Sequence, residues 1–206
     1  MAVNWSLQSP LHSISVAAKI LLGHRDIWIK RDDALHPTVS GNKFRKLKFL
    51  SNEITHLKTP RKLPYLVTMG GIWSNHLHAT AFVSKLLGCS SIGLVRGDSF
   101  MSFTATLQDC RMQGMELIFI DRINYRKLRD ADVINQEVQL QIHLKKSLSL
   151  SREEGKDQNI IWIPEGGSTP LSLSGVAELV KELPFAPDSI VVCVCVCHHI
   201  IIIIIY

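Results

Sequence analysis

The chain has 206 residues, 46% of them apolar, and a formal net charge of +5. That is enough for one ordinary domain or two small ones with a packed core. The basic residues are scattered apart from a cluster at Lys43 to Lys48, with no aromatic platform among them. This argues against nucleic-acid binding, and a mildly basic enzyme that handles small anions carries the same sign.

Residues 1 to 26 read as a lead-in, with a short helix expected over Val16 to Leu22 and ended by Gly23. No charged start is followed by an apolar run, so no secretory leader is expected. With an odd count of five cysteines, this points to a reducing, cytoplasmic setting. Ile27 to Lys30 reads as a strand running into the charged sequence Lys30-Arg31-Asp32-Asp33. Ser40, Gly41 and Asn42 suit a tight turn and a helix cap. Phe44, Leu47, Leu50, Ile54 and Leu57 then recur every three or four residues, the spacing of an amphipathic helix. Lys43 therefore falls in the first helical turn. The helix dipole opposes a positive charge there and favours the neutral amine that Schiff-base chemistry needs. Taken alone, Lys43, Arg45, Lys46 and Lys48 read as the wet face of that helix.

Tyr65 to Met69 reads as a strand and Gly70-Gly71 as a sharp turn. Ser74 or Asn75 can cap the next helix, which Gly88 stops. Ser91 to Val95 is a strand, Ser102 to Gln113 a helix stopped by Gly114, and Met115 to Ile120 a strand. The polar segment from 121 to 158 holds one helix around Val133 to Ile142 and a surface loop at Ser147 to Gln158. Ile160 to Ile163 is a strand, Pro164 to Pro170 a glycine loop, Leu173 to Leu183 a helix, and Ser189 to Val192 begins a last strand. Strand and helix alternate, and the connections are too long for hairpins. That implies parallel strands with right-handed crossovers, hence an open α/β sheet with helices on both faces. Such sheets bind ligands beyond the carboxyl ends of their strands. Lys43, Gly70 to Asn75 and Glu165 to Ser168 all follow strands, so one shared rim is expected.

Three ordered motifs carry a family resemblance. They are Ser40-Gly41-Asn42-Lys43-Phe44-Arg45-Lys46-Leu47 after Lys-Arg-Asp-Asp, Gly70-Gly71-Ile72-Trp73-Ser74-Asn75-His76, and Ile163-Pro164-Glu165-Gly166-Gly167-Ser168. In this order, over about residues 9 to 192, the chain resembles the pyridoxal-phosphate-dependent D-cysteine desulfhydrase and 1-aminocyclopropane-1-carboxylate deaminase family. The resemblance implies a tryptophan-synthase-beta-like α/β fold (fold type II), with three-layer open parallel sheets and flanking helices. It implies that Lys43 holds pyridoxal phosphate as a Schiff base and moves the substrate's alpha proton. It places Asn75 on the cofactor's ring hydroxyl oxygen, and Ser74 on the substrate as a further catalytic candidate. Asn75 and His76 complete the implied substrate contacts, and no metal is implied. By pattern alone the second motif is a turn plus a cap, and His76 an ordinary surface residue at a helix start. The implied substrate is a small amino acid. The Ser-Gly-Asn-Lys and Ser-Asn-His forms favour D-cysteine, converted to pyruvate, ammonia and hydrogen sulfide, with the deaminase substrate as the alternative. A homodimer is expected of a full-length relative, with no nucleic-acid or membrane partner.

The resemblance also implies two domains: a partial large cofactor-binding domain from residues 1–45 and 160–192, and a small α/β domain from 46–159. After Val192 the family has a glycine- and threonine-rich loop that grips the cofactor phosphate. Here the chain reads Cys193-Val194-Cys195-Val196-Cys197-His198-His199, then six isoleucines and Tyr206. A zinc cluster, a short membrane span and translated simple repeat all compete for this segment. Alternating cysteines project to one strand face, and two histidines would sit in mid-bilayer, so residues 193–206 read best as an aberrant low-complexity tail on a truncated chain. An unfinished large domain leaves an open edge and an exposed apolar face. Weak or absent cofactor binding, an inactive remnant, is the expectation for such a chain.

Overall fold

The computed structural model describes residues 3–14, 20, 26–57, 64–97, 103–130 and 160–192, and the backbone of 202–205. Apart from Ile20, the helix expected at Val16 to Leu22 lies outside these residues, as do the helix expected around Val133 to Ile142, the loop at Ser147 to Gln158, and Cys193 to His199. In chain order the elements are β1 (Leu11–Ser13), β2 (Ile27–Lys30), α1 (Asn42–Leu57), β3 (Tyr65–Gly71), α2 (Asn75–Leu87), β4 (Ser90–Arg96), α3 (Ala105–Met112), β5 (Met115–Ile120), α4 (Arg122–Asp130), β6 (Ile160–Ile163), α5 (Pro170–Lys181), β7 (Ser189–Val192) and β8 (Ile202–Ile205). The chain divides into two compact units, Met1–Asn52 with Thr169–Tyr206, and Glu53–Ser168.

The second unit is the α/β sheet that the alternation implies. Its strands run in the order β5-β4-β3-β6, and every pair is parallel. Five consecutive residues of β3 and of β4 are buried, the mark of strands covered on both faces. Side-chain alternation splits the core in two. Val67, Met69, Ile92, Leu94, Ile118 and Ile120 meet Tyr125 and Leu128 of α4 on one face. Val95 and Met115 meet Leu77, Ala81, Leu107 and Cys110 of α2 and α3 on the other. Burial pushes the Cys110 thiol up to about 12, so it behaves as a small apolar side chain.

The helix ends follow local chemistry. Ser74 caps α2, its oxygen accepting from Leu77 N at 3.3 Å, and Gly88 ends it in the left-handed conformation at φ 66°. Helix α3 starts later than the apolar spacing implies, because Thr104 caps it by accepting from Leu107 N. Helix α5 starts earlier, because Pro170 suits the first helical position and Thr169 and Ser172 form a reciprocal capping box. Helix α4 is absent from the sequence reading, whose helix lay further on. Asp121 sets its start by accepting from Ile123 N and Asn124 N.

In the first unit the strands run in the order β1-β2-β8-β7, and every pair is antiparallel. This departs from the parallel pairing expected throughout. Residues 193–201 are too short a connection for a parallel crossover, so β8 returns against β7. Within the isoleucine run, Ile202 to Ile205 pair as a strand, in line with the strand preference of β-branched residues. Leu179 of α5 packs with Leu11, Trp28, Leu183 and Phe185. Exposed apolar side chains in this unit include Ile190, Val191 and Val192 of β7 and Leu173 and Val180 of α5.

Helices α1 and α5 cross at Gly175, where an added Cβ would overlap the Arg45 carbonyl oxygen, and Lys48 Nζ meets Glu178 Oε2 at 2.6 Å nearby. Gly175→Ala should destabilise the chain by about 1–3 kcal/mol through overpacking, despite alanine's better helix propensity. A urea titration followed by circular dichroism measures this.

Candidate active site

Lys43 is placed by a strand, a short 3-10 turn and a helix start. After β2, Asp32–Ala34 form the 3-10 turn. Gly41, at φ 59°, donates its N–H to the Asp32 carbonyl at 2.9 Å. Only a residue tolerant of the left-handed region fits there without strain. Helix α1 begins at Asn42, so Lys43 sits in its first turn, as the spacing implies, and it is partly buried. Burial first, and then the charge of Lys46, bring the Lys43 amine down to about 8. Lys46 is shifted down by burial as well.

Two residues on, Arg45 enters a buried ionic network. Its guanidinium grips Asp32 in a fork, Nε to Oδ2 at 2.5 Å and Nη2 to Oδ1 at 2.7 Å. It also grips Glu182 through Nη1 to Oε1 at 2.8 Å and Nη2 to Oε2 at 3.0 Å. Lys30 Nζ completes the set, 2.7 Å from Glu182 Oε2 and donating to the Ser9 carbonyl at 2.6 Å. Two cations thus meet two anions. Burial alone would raise the Glu182 carboxyl, and the hydrogen bonds from Arg45 and Lys30 more than reverse this. An acid at the C-cap of α5 opposes the helix dipole and is held there by this pairing. The network joins residues 9, 30, 32, 45 and 182, and it seats the helix turn that carries Lys43.

In the second unit the two remaining motifs leave the carboxyl ends of neighbouring parallel strands, Gly70 to Asn75 after β3 and Pro164 to Ser168 after β6. A Cβ on Gly70 would lie 2.5 Å from Ser74 Oγ and 2.9 Å from Leu77 Cγ, so the turn needs glycine. Ser74 and Asn75 are partly buried and Trp73 is exposed. His76 departs from the surface position that its pattern implies: it is 3% exposed, with Nε2 2.7 Å from Thr68 Oγ1. The single Thr68 hydroxyl hydrogen goes to the Ile163 carbonyl at 2.8 Å, so Nε2 of His76 must be the donor to Thr68. One hydroxyl thereby couples the start of α2 to the end of β6. The neighbouring loop is fixed from the other side, where Tyr125 Oη donates to Glu165 Oε1 at 2.7 Å. Thr68→Val keeps the shape but strands the histidine donor and a carbonyl, and should cost about 1–3 kcal/mol, readable as a lower midpoint in thermal unfolding.

The structure thus gathers Ser74, Asn75 and His76 around one loop of the second unit, and sets Lys43 in the first unit. The sequence reading missed Arg45, Glu182 and Thr68. Arg45 lies inside a recognised motif, but no local signal marks Glu182, 137 positions away from it. Among the described residues no helix is long and apolar enough to cross a membrane, and no three metal-binding side chains cluster.

The fold is that of the fold-type II, tryptophan-synthase-beta-like enzymes. The chain superposes on a crystal structure described as an ACC deaminase homologue with a TM-score of 0.62, at 22% identity, covering 89% of this chain and 50% of that one. Maize serine racemase gives a TM-score of 0.52 at 16% identity, covering 85% of this chain and 44% of that one. The bifunctional D-cysteine desulfhydrase/1-aminocyclopropane-1-carboxylate deaminase of Arabidopsis thaliana is 31% identical over 195 residues, which is 89% of this chain and 44% of that protein. The D-cysteine desulfhydrase of Salmonella paratyphi A is 30% identical over 168 residues, 81% of this chain and 46% of that protein. No protein-family model matches. The chain is a homologue of the D-cysteine desulfhydrase and 1-aminocyclopropane-1-carboxylate deaminase family, and it spans about half the length of the curated relatives it matches.

Proposed function

We propose that the chain is built for a pyridoxal-phosphate-dependent lyase or deaminase reaction on a small amino acid, with D-cysteine the favoured substrate. The observation that carries this is Lys43, a partly buried amine in a first helical turn, lowered to about 8. An amine that is about half neutral near pH 8 fits the aldehyde of pyridoxal phosphate, which supplies an electron sink when bound. Lys43 would hold that aldehyde carbon, and Asn75 would hold the ring hydroxyl oxygen. With substrate bound, the Lys43 amine would take the alpha proton and Ser74 would line the substrate side, with His76 held behind it by Thr68. Net conversion of D-cysteine and water then yields pyruvate, ammonia and hydrogen sulfide. The deaminase substrate has no alpha hydrogen, so its ring would need a nucleophile, for which Ser74 is the candidate. The two units would correspond to the large and small domains of a fold-type II enzyme, in a cytoplasmic setting.

A second reading, a folded chain that does not hold the cofactor, is favoured by one sequence observation. Cys193 to His199 stand where the relatives' phosphate-gripping loop is expected. One experiment separates the two readings. The folded chain is mixed with pyridoxal phosphate, reduced with borohydride and mapped by peptide mass, and sulfide release from D-cysteine is assayed alongside. Label on Lys43 supports the enzyme. Folded protein without label supports the second reading.

A further inference from the structure

The second unit contains a cavity of about 710 Å³ to which the proposed reaction assigns no role, although Gly71 and Ile72 of the second motif form one edge of it. Its wall comes from the carboxyl ends of β3, β4 and β5 and from α4, and it presents four arginines: Arg96, Arg122, Arg126 and Arg129. Three features make this more than a solvated basic face.

The first is how the arginines are spent. Arg129 is held by Asp130 through two hydrogen bonds, at 2.6 and 3.0 Å. Arg96, Arg122 and Arg126 form no ion pair among the described residues. The second is the one carboxylate on the wall, Asp121. It accepts from Ile123 N, Asn124 N and Asn124 Nδ2, which holds its carboxyl below the ordinary range and turns its oxygens to the start of α4 rather than to the guanidiniums. The third is rigidity. Arg96 lies over the ring of Tyr125 at 5.5 Å, and that ring is buried and tied to Glu165. One of the three donors is therefore oriented in advance, which lowers the entropy lost on binding.

Three guanidinium groups around one cavity, at the rim where parallel sheets bind ligands, match a compact polyanion. Guanidinium forks fit phosphate oxygens in pairs. The cavity lies within the range of small-molecule sites, with room for more than one phosphate group. We propose that this cavity binds a small molecule carrying two or more linked phosphate groups. Gly71 and Ile72 line the cavity and directly precede Trp73, Ser74 and Asn75, so the occupant touches the loop that bears the candidate substrate contacts.

Calorimetric titration of the full chain with inorganic pyrophosphate and with adenosine triphosphate tests this, with sodium sulfate at matched ionic strength as the control. Saturable binding of at least one phosphate compound, and none of sulfate, is expected. The tighter of the two names the source, nucleotide or inorganic. R122Q and R126Q together should weaken binding by about tenfold or more, since each removes charge-assisted hydrogen bonds. Both side chains are exposed, so unfolding curves should be unchanged. R96Q is an independent second variant with the same expected loss. No binding to the wild-type chain, sulfate binding equal to that of the phosphates, or unchanged affinity in both variants would overturn the assignment.

Discussion

Arg45→Met is expected to lower stability by about 3–5 kcal/mol, the largest single-residue effect in the first unit, because it leaves buried carboxylates without their cation. Among the described residues Asp32 loses its cation partner, and Glu182 keeps only Lys30. Methionine fills much of the stem volume, so the loss reports charge rather than a cavity. The pH dependence separates the two causes. A protonated carboxyl needs no cation, so the deficit relative to wild type should narrow as pH falls towards about 4. A cavity would leave it constant. In the wild-type chain the sign is opposite. Glu182 is depressed by its partners, so its contribution is full at neutral pH and fades on acidification through its folded value. Urea unfolding of both proteins at several pH values provides the measurement.

Lys43→Met is expected to abolish borohydride-fixed labelling by pyridoxal phosphate at this position, and to remove any sulfide release. Loss of a positioned proton-transfer group alone costs about 10²–10⁴-fold, and here the covalent anchor goes with it. In the wild-type chain, labelling should rise between pH 7 and 9 with a midpoint near 8. At pH 8 the amine is then about half neutral, on the order of a hundredfold more than a lysine of ordinary pKa near 10.4. A labelling rate that keeps rising past pH 10 would show that burial and Lys46 do not tune this amine. The unfolded chain keeps the proton to higher pH than the folded one. Stability should therefore increase slightly from pH 8 towards 10, the direction expected of a base whose charge the fold opposes.

The second unit was readable because its signals are local. Apolar runs mark β3, β4 and β5, Ser74 and Gly88 bracket α2, and Gly114 separates α3 from β5. The first turn of α1 was readable for the same reason, since Ser40, Gly41 and Asn42 leave few alternatives before a run of helical spacing. Helix α4 was not. Its mean character is polar, and only Tyr125 and Leu128 face the core, too few to stand out as a period. His76 looked like a helix-start residue on the surface, because nothing near it in sequence reveals that Thr68 lies opposite.

The amino-acid sequence by itself determined the alternation of strand and helix in the second unit, that Lys43 follows a turn into a helix, and which relatives the chain shares its motifs with. Only the tertiary structure decided that Glu182 closes on Arg45 and Lys30, that the isoleucine run pairs between β2 and β7, and that Arg96 meets the α4 arginines around one cavity. Turns, caps and periods are short-range preferences, each written within a few residues. Ion pairs, strand partners and cavities depend on which distant segments the packed core brings together, and no local stretch records that choice.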